Sequence, residues 1–328
     1  MILEIMGFCL IGIATIGGGA SVFQQVKRSR FENERLDLEL SLLRNRLDGE
    51  RESRLVSSKT SLPWNGFRKF VVKKKVLEAE QQCSFYLSPH DGKALPDFMP
   101  GQYLTFQLLV PGQAKPVVRC YSLSDRPRDD YYRITVKRQL APSDSTDIAH
   151  GVGSGYFHDN VKEGDIVDVK APSGHFHLDP AGDGGVVLIG GGIGVTPMLS
   201  MLNTLVARQS RRDIWLVYAV RNSGDHMMSD LLRTVARENP NVHLVVCYSR
   251  PLGENVVGEH YDEKGHISVD LLRRLLPSSN FDFYMCGPGG LMESLTRDLQ
   301  TWGVPENRVH FETFGPSSVK KVGSATRP

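Results

Sequence analysis

Cysteine is scarce and dispersed in this chain. Its 328 residues hold five, Cys9, Cys83, Cys120, Cys247 and Cys286, and no two are near neighbours. A zinc site or a ferredoxin-type cluster needs closely spaced thiolates, so neither is expected. A disulfide framework is also not expected, which favours a reducing compartment for the main body. Excess charge is missing as well. Lys and Arg number 39 against 37 Asp and Glu, a net charge of +2, and the basic residues are scattered. No nucleic-acid surface is expected from that pattern. What is present, 40% hydrophobic residues over this length, is enough for two domains with separate cores.

One long charge-free run occurs, at residues 5–23. It is about the length needed to cross a bilayer. Glu4 precedes it, and Lys27, Arg28 and Arg30 follow. Under the positive-inside rule this predicts a single-pass anchor, residues 1–26, with the catalytic domains on the cytoplasmic face of the membrane. The other reading is a cleaved signal peptide, whose positive charge would precede the apolar run instead. The glycines at Gly7, Gly12 and Gly17 to Gly19 oppose helix formation within it. Residues 27–65 read as a helical stalk and linker. Leu36, Leu40, Leu43 and Leu47 recur at helical spacing, and residues 57–65 are rich in Ser, Thr and Pro. A short coiled coil and a solvated stalk helix both fit this stripe.

From residue 66 the texture changes to short β-rich runs. Residues 70–76, 83–87, 103–109, 117–124, 132–137 and 166–170 read as strands, punctuated by Pro-Gly pairs at 100–101 and 111–112. Six strands in about a hundred residues predict a small barrel or sandwich over 66–175. Beyond it, strands at 185–189, 213–219, 242–249, 281–286 and 309–314 alternate with helices at 198–209, 229–238, 268–275 and 291–301. That alternation predicts a doubly wound parallel sheet over 176–316, followed by a basic tail at 317–328.

Four motifs carry chemistry. Arg119-Cys120-Tyr121-Ser122 places an anion-pairing guanidinium, a ring able to stack and a hydroxyl on one strand. Gly151-Val152-Gly153-Ser154-Gly155 precedes a short helix, where bare amides hold phosphate oxygens. Each of these two is ordinary when read alone. Gly190-Gly191-Gly192-Ile193-Gly194-Val195-Thr196-Pro197 joins a buried-type strand to a helix, the setting of a pyrophosphate site. Pro197 stands where the usual dinucleotide fingerprint has its last glycine and suits a first helical turn. Cys286-Gly287-Pro288-Gly289-Gly290 follows another strand of the same sheet, at the edge where ligands bind.

In this order the motifs resemble the ferredoxin–NADP reductase superfamily, in particular the reductase domains of flavohemoglobins and of bacterial oxygenase systems. The resemblance covers about residues 66–316. It implies an FAD-binding barrel, an NAD(P)-binding α/β domain and an enzyme that passes electrons from NAD(P)H through FAD to a one-electron acceptor, an iron–sulfur or haem protein. It further implies that Arg119 meets the flavin pyrophosphate, Tyr121 stacks on the isoalloxazine and Ser122 lies near its N5. Val136 and Lys137 would pass the ribityl chain, and Gly153 and Ser154 would cradle the pyrophosphate, favouring FAD over FMN. Gly192, Gly194, Thr196 and Pro197 would hold the coenzyme pyrophosphate, with Cys286 and Gly287 beside the nicotinamide. Glu312 would assist proton and hydride movement, and Phe314 would cover the other flavin face as a gate.

For the coenzyme, Arg221, Ser249 and Arg250 follow strands where the family contacts a 2′-phosphate, so NADPH is expected, with NADH as the alternative. No globin or iron–sulfur segment is recognisable in the chain itself. Two rival functions remain open at this point: a membrane-tethered flavin-binding sensor or scaffold without turnover, and a reductase that releases reduced flavin.

Overall fold

The computed structural model describes residues 63–140 and 151–314. The expected anchor, stalk and C-terminal tail lie outside them. The expected fold class is corrected here. Among the described residues no helix is long and apolar enough to cross a membrane, and they form the two expected domains. The membrane contact and membrane localisation expected from residues 5–23 have no support among the described helices.

Six strands form the first domain: β1 (Arg68–Ala79), β2 (Gln82–Pro89), β3 (Tyr103–Leu108), β4 (Val117–Ser122), β5 (Tyr132–Lys137) and β6 (Ile166–Val169), in the order β4-β3-β6-β1-β2-β5. All pairings are antiparallel. Leu123 bridges to Ile134, and the Ser124 N–H donates to the Arg133 carbonyl at 2.8 Å, which closes β4 onto β5 as a barrel. Two register shifts in β1, at Val72/Lys74 and Leu77/Ala79, let that long strand bend around the core. Alternation decides which side chains enter. Along β3, Leu104, Phe106 and Leu108 are buried while Tyr103, Thr105 and Gln107 turn outward. Helix α1 (Val152–Asp159) plugs the barrel with Phe157, whose ring meets Phe85, Phe106 and Tyr121 edge-on at 5.0 to 5.3 Å between centroids.

The second domain is a parallel sheet of β7 (Val186–Gly191), β8 (Ile214–Val220), β9 (Val242–Tyr248), β10 (Glu263–Lys264), β11 (Asp282–Gly287) and β12 (Val309–Thr313), ordered β10-β9-β8-β7-β11-β12. Helices α2 (Val195–Ala207), α3 (Ser229–Glu238), α4 (Val269–Leu275) and α5 (Gly289–Thr301) connect them. Central strand β7 is buried at every position, as a strand covered on both faces must be. One face packs on α2 and α3 through Leu188, Met198, Leu202 and Leu232; the other packs on α4 and α5 through Ile189, Leu272, Met285 and Leu295. The chain leaves β7 toward β8 on one side and returns to β11 on the other. The carboxyl ends of β7 and β11 therefore frame a crevice at the point where strand order reverses, the usual ligand edge of such sheets.

Candidate functional site

Strand β4 builds the first half of the site. Ser122 pairs with Tyr103 across β3, and its side chain is 5% exposed. Its hydroxyl is buried without a hydrogen-bond partner. A buried orphan hydroxyl costs about 1–3 kcal/mol, so this atom fits a ligand acceptor or donor. Tyr121 is half-buried against Phe106 and Phe157, and burial pushes its phenol well above the usual range. It stays a neutral ring for stacking. Arg119 is exposed, and its stem lies over the start of α1: a Cβ added at Gly153 would meet Arg119 Cγ at 2.7 Å. Glycine there allows the guanidinium to sit beside the first amides of α1, which have no helical acceptors. The structure thus brings Arg119, Gly153, Tyr121 and Ser122 together.

Other expected contacts on this side have different occupations. The Ser154 hydroxyl donates to the Gly151 carbonyl at 3.1 Å and accepts the Gln139 N–H at 3.0 Å, so it secures the entry to α1. Val136 points into the barrel core, fully buried, and its carbonyl lies 2.9 Å from His158 Nε2. Lys137 crosses to the second domain, where its Nζ bonds Asp225 Oδ1 at 3.1 Å.

Around the glycine turn, backbone approach is tight. A single 3-10 turn, Gly192–Gly194, leads into α2. Gly192 takes φ +57, in the left-handed region that favours glycine. A Cβ on Gly194 would lie 2.2 Å from the Cys286 carbonyl oxygen and 2.8 Å from the Gly287 nitrogen. Gly194 is what lets the turn seat against the end of β11, next to Cys286 and Gly287. Thr196 is 2% exposed and donates its hydroxyl to the Ile193 carbonyl at 2.9 Å, bracing the same turn. The helix begins at Val195, three residues before the expected start, and Pro197 fits its first turn because an N–H there would have no helical acceptor.

At the end of β11, Cys286 is fully buried and pairs with Glu312 on β12. Burial, with the Glu312 charge adding to it, pushes the Cys286 thiol well up, so it is a neutral thiol. Burial likewise raises the Glu312 carboxyl to about 7, and its Oε2 has no partner. A carboxyl poised near neutral pH can hold and release a proton at that oxygen. Phe314 follows β12 and is 38% exposed. At the other end of the crevice, the Arg250 N–H donates to the Arg221 carbonyl at 2.8 Å, so β8–β9 pairing sets the two arginines side by side. Both are exposed, and Ser249 bonds Val220 between them. Arg221 is ion-paired with Asp225.

Two aspartates that sequence reasoning missed join the domains. Asp225, 4% exposed, takes Arg221 on Oδ2 and Lys137 on Oδ1, and its carbonyl accepts Gln82 Nε2 at 2.9 Å. Burial alone would raise the Asp225 carboxyl; the bonds from Arg221 and Lys137 outweigh it and hold it below the ordinary value. Each of its two oxygens is thus already engaged by a cation. Asp125, just past β4, meets Ser200 and Asn203 of α2.

The residues present fit FAD and a nicotinamide coenzyme: an orphan hydroxyl beside a stackable ring, an arginine over a glycine-opened helix start, and a second glycine turn facing an orphan carboxyl. Comparisons agree. Residues 46–178 match the oxidoreductase FAD-binding domain family and residues 188–297 the oxidoreductase NAD-binding domain family. A flavohemoprotein of Halalkalibacterium halodurans is 42% identical over 254 residues, 77% of this chain and 61% of that protein. This chain thus spans about three fifths of that relative. The FAD/NAD-binding domain of a nitric oxide dioxygenase from Vibrio cholerae is 34% identical, with TM-score 0.68, covering 77% of this chain and all of that one. Phthalate dioxygenase reductase, described as modular for electron transfer from pyridine nucleotides to [2Fe–2S], is 28% identical with TM-score 0.59 over 78% of this chain and 71% of its own.

Proposed function

The chain belongs to the family of FAD- and NAD(P)H-dependent oxidoreductases that join an FAD-binding barrel to an NAD-binding α/β domain, and from that premise we propose that it draws on NADPH in preference to NADH and delivers electrons to a haem or iron–sulfur acceptor. FAD bound at the barrel supplies the conversion from one hydride to single electrons. The chain's own residues bind, orient and supply a proton. Arg119 and the start of α1 at Gly153 receive the flavin pyrophosphate, and Tyr121 stacks on the ring. Ser122 offers its hydroxyl to the ring edge. Gly192, Gly194, Thr196 and Pro197 receive the coenzyme pyrophosphate, leaving Cys286 and Gly287 to line the nicotinamide place. Glu312 holds a proton beside it, and Phe314 is the aromatic that yields to the incoming nicotinamide.

The observation that carries this reading is the buried, unpartnered Ser122 hydroxyl. None of the described residues bonds it, and it lies on the strand that also presents Arg119 and Tyr121. The NADPH preference rests on Arg221 and Arg250 lying side by side at the ends of β8 and β9. The acceptor class rests on the relatives' own descriptions, a flavohemoprotein and a reductase serving [2Fe–2S]. Ser122→Ala should retain FAD yet slow anaerobic flavin reduction at saturating coenzyme about tenfold, the loss of one hydrogen bond to the reacting ring. An unchanged single-turnover rate would refute the role of Ser122.

A further inference from the structure

Thr196, Ser200 and Asn203 lie at spacings of four and three along α2, so they share one stripe of the helix. Thr196 braces the coenzyme turn. Ser200 and Asn203, one and two turns further on, face the barrel, and both reach the same residue. The Ser200 hydroxyl donates to the Asp125 carbonyl at 2.8 Å, and Asn203 Nδ2 donates to Asp125 Oδ1 at 2.8 Å. Asp125 is 8% exposed and held from the barrel side as well. Its Oδ1 also accepts the Arg126 N–H at 2.8 Å, its Oδ2 accepts the Tyr131 hydroxyl at 3.0 Å, and Arg133 Nη1 lies 3.9 Å from Oδ2. Asp125 is three residues beyond Ser122 on the run that closes the barrel, where Leu123 and Ser124 are fixed by bonds to Gln102 and Arg133.

We propose that Asp125 is a positioning residue for hydride transfer, fixing the strand that presents Tyr121 and Ser122 against the helix that carries the coenzyme turn. The assignment rests on the function proposed above. Three residues of extended chain span about 10 Å, and the four residues from Thr196 to Ser200 rise about 6 Å. The helix is regular, and residues 123 and 124 are held by their backbone bonds to Gln102 and Arg133. A pair of hydrogen bonds between them therefore sets how the flavin ring place and the nicotinamide place face each other, without either bond touching a ligand. Asp225 joins the domains too, but through Lys137 of β5 and Gln82 of β2, and it bonds neither β4 nor α2. Reacting geometry is steep in distance: a displacement of about 1 Å costs on the order of a hundredfold in rate.

The test uses the FAD-loaded full chain with Asn203→Leu, which removes the amide donation at similar volume, and Ser200→Ala as the milder companion. Coenzyme affinity should stay within about twofold, because the turn itself is untouched. Flavin reduction at saturating NADPH should fall at least tenfold in Asn203→Leu, and the long-wavelength charge-transfer absorption of the reduced protein with NADP+ should weaken in parallel. In the chain without FAD or coenzyme, amide exchange at residues 123–126 should quicken. Ser200→Ala should change each readout in the same direction by a smaller factor. A parent-like rate and charge-transfer band in Asn203→Leu would overturn the proposal, as would a loss confined to coenzyme affinity. Failure of the unaltered protein to reduce its flavin with either coenzyme would instead overturn the functional reading beneath it.

Discussion

Replacing Gly194 by Ala should separate the two walls of the coenzyme crevice while leaving the FAD barrel intact. A Cβ at that position lies 2.2 Å from the Cys286 carbonyl oxygen, 2.5 Å from its carbon and 2.8 Å from the Gly287 nitrogen. Ordinary non-bonded contact is about 3.5 Å, so the turn and the end of β11 must part by roughly 1 Å. All three obstructing atoms are backbone and cannot rotate aside. Overpacking of this kind costs about 1–3 kcal/mol of stability, and a shift of that size at the reacting centre costs on the order of a hundredfold in rate. Backbone strain plays no part, because Gly194 has φ −62. Gly192 is the contrasting position. Its φ is +57, but an added Cβ meets no protein atom within 4 Å. Gly192→Ala should lose about 1–2 kcal/mol of stability from the left-handed backbone and affect coenzyme affinity, with the maximal rate retained. Anaerobic stopped-flow absorbance across a range of NADPH concentrations separates the two outcomes, with flavin content checked by absorbance. Parent-like maximal reduction by Gly194→Ala would refute the close approach of the turn to Cys286.

Two further outcomes follow from the electrostatics. The folded chain keeps the Glu312 proton up to about pH 7, whereas a carboxyl at its ordinary value of 4.5 gives it up earlier. The stability held by that proton is full below pH 4.5 and is lost as pH rises through 7, on the order of 3 kcal/mol. Denaturant midpoints of Glu312→Gln should therefore match the parent at low pH and gain on it as pH rises; a difference constant with pH would refute the buried acid. Arg221→Ala combined with Arg250→Ala should raise KM for NADPH about tenfold or more, the value of a lost charge-assisted hydrogen bond, with KM for NADH unchanged. Equal effects on both coenzymes would remove the 2′-phosphate assignment.

What could be read from the chain and what could not divides along physical lines. The run Arg119 to Ser122 and the glycines before Thr196 were legible because a few residue types in fixed order, between a strand and the next element, carry their chemistry locally. The strand and helix alternation beyond residue 185 was legible from periodicity, and boundaries moved only where closure or capping intervened. Strand β4 ends at Ser122, not at residue 124, because only a single bridge at Leu123 joins it to β5. The ties at Asp125 and Asp225 were invisible. Their partners in the other domain lie 75 to 143 residues away in sequence, and nothing in the neighbourhood of either aspartate marks the pairing. Lys137 read as a flavin contact for the same reason: its strand was recognisable, but its commitment to Asp225 depends on how the domains meet. The raised Glu312 carboxyl depends on burial beside β11, which no local pattern records. The apolar stretch at residues 5–23 shows the opposite hazard, since length and composition alone suggested a span that no described helix supports.

The central claim is that one chain binds FAD and lets a nicotinamide coenzyme reduce it. An anaerobic visible spectrum of the purified full chain, recorded before and after additions of NADPH and then NADH, tests it most directly. The expected result is a bound-flavin spectrum that bleaches with NADPH at lower concentration than with NADH. A protein that shows no flavin absorbance after incubation with FAD, or whose bound flavin stays oxidised with both coenzymes, would contradict it.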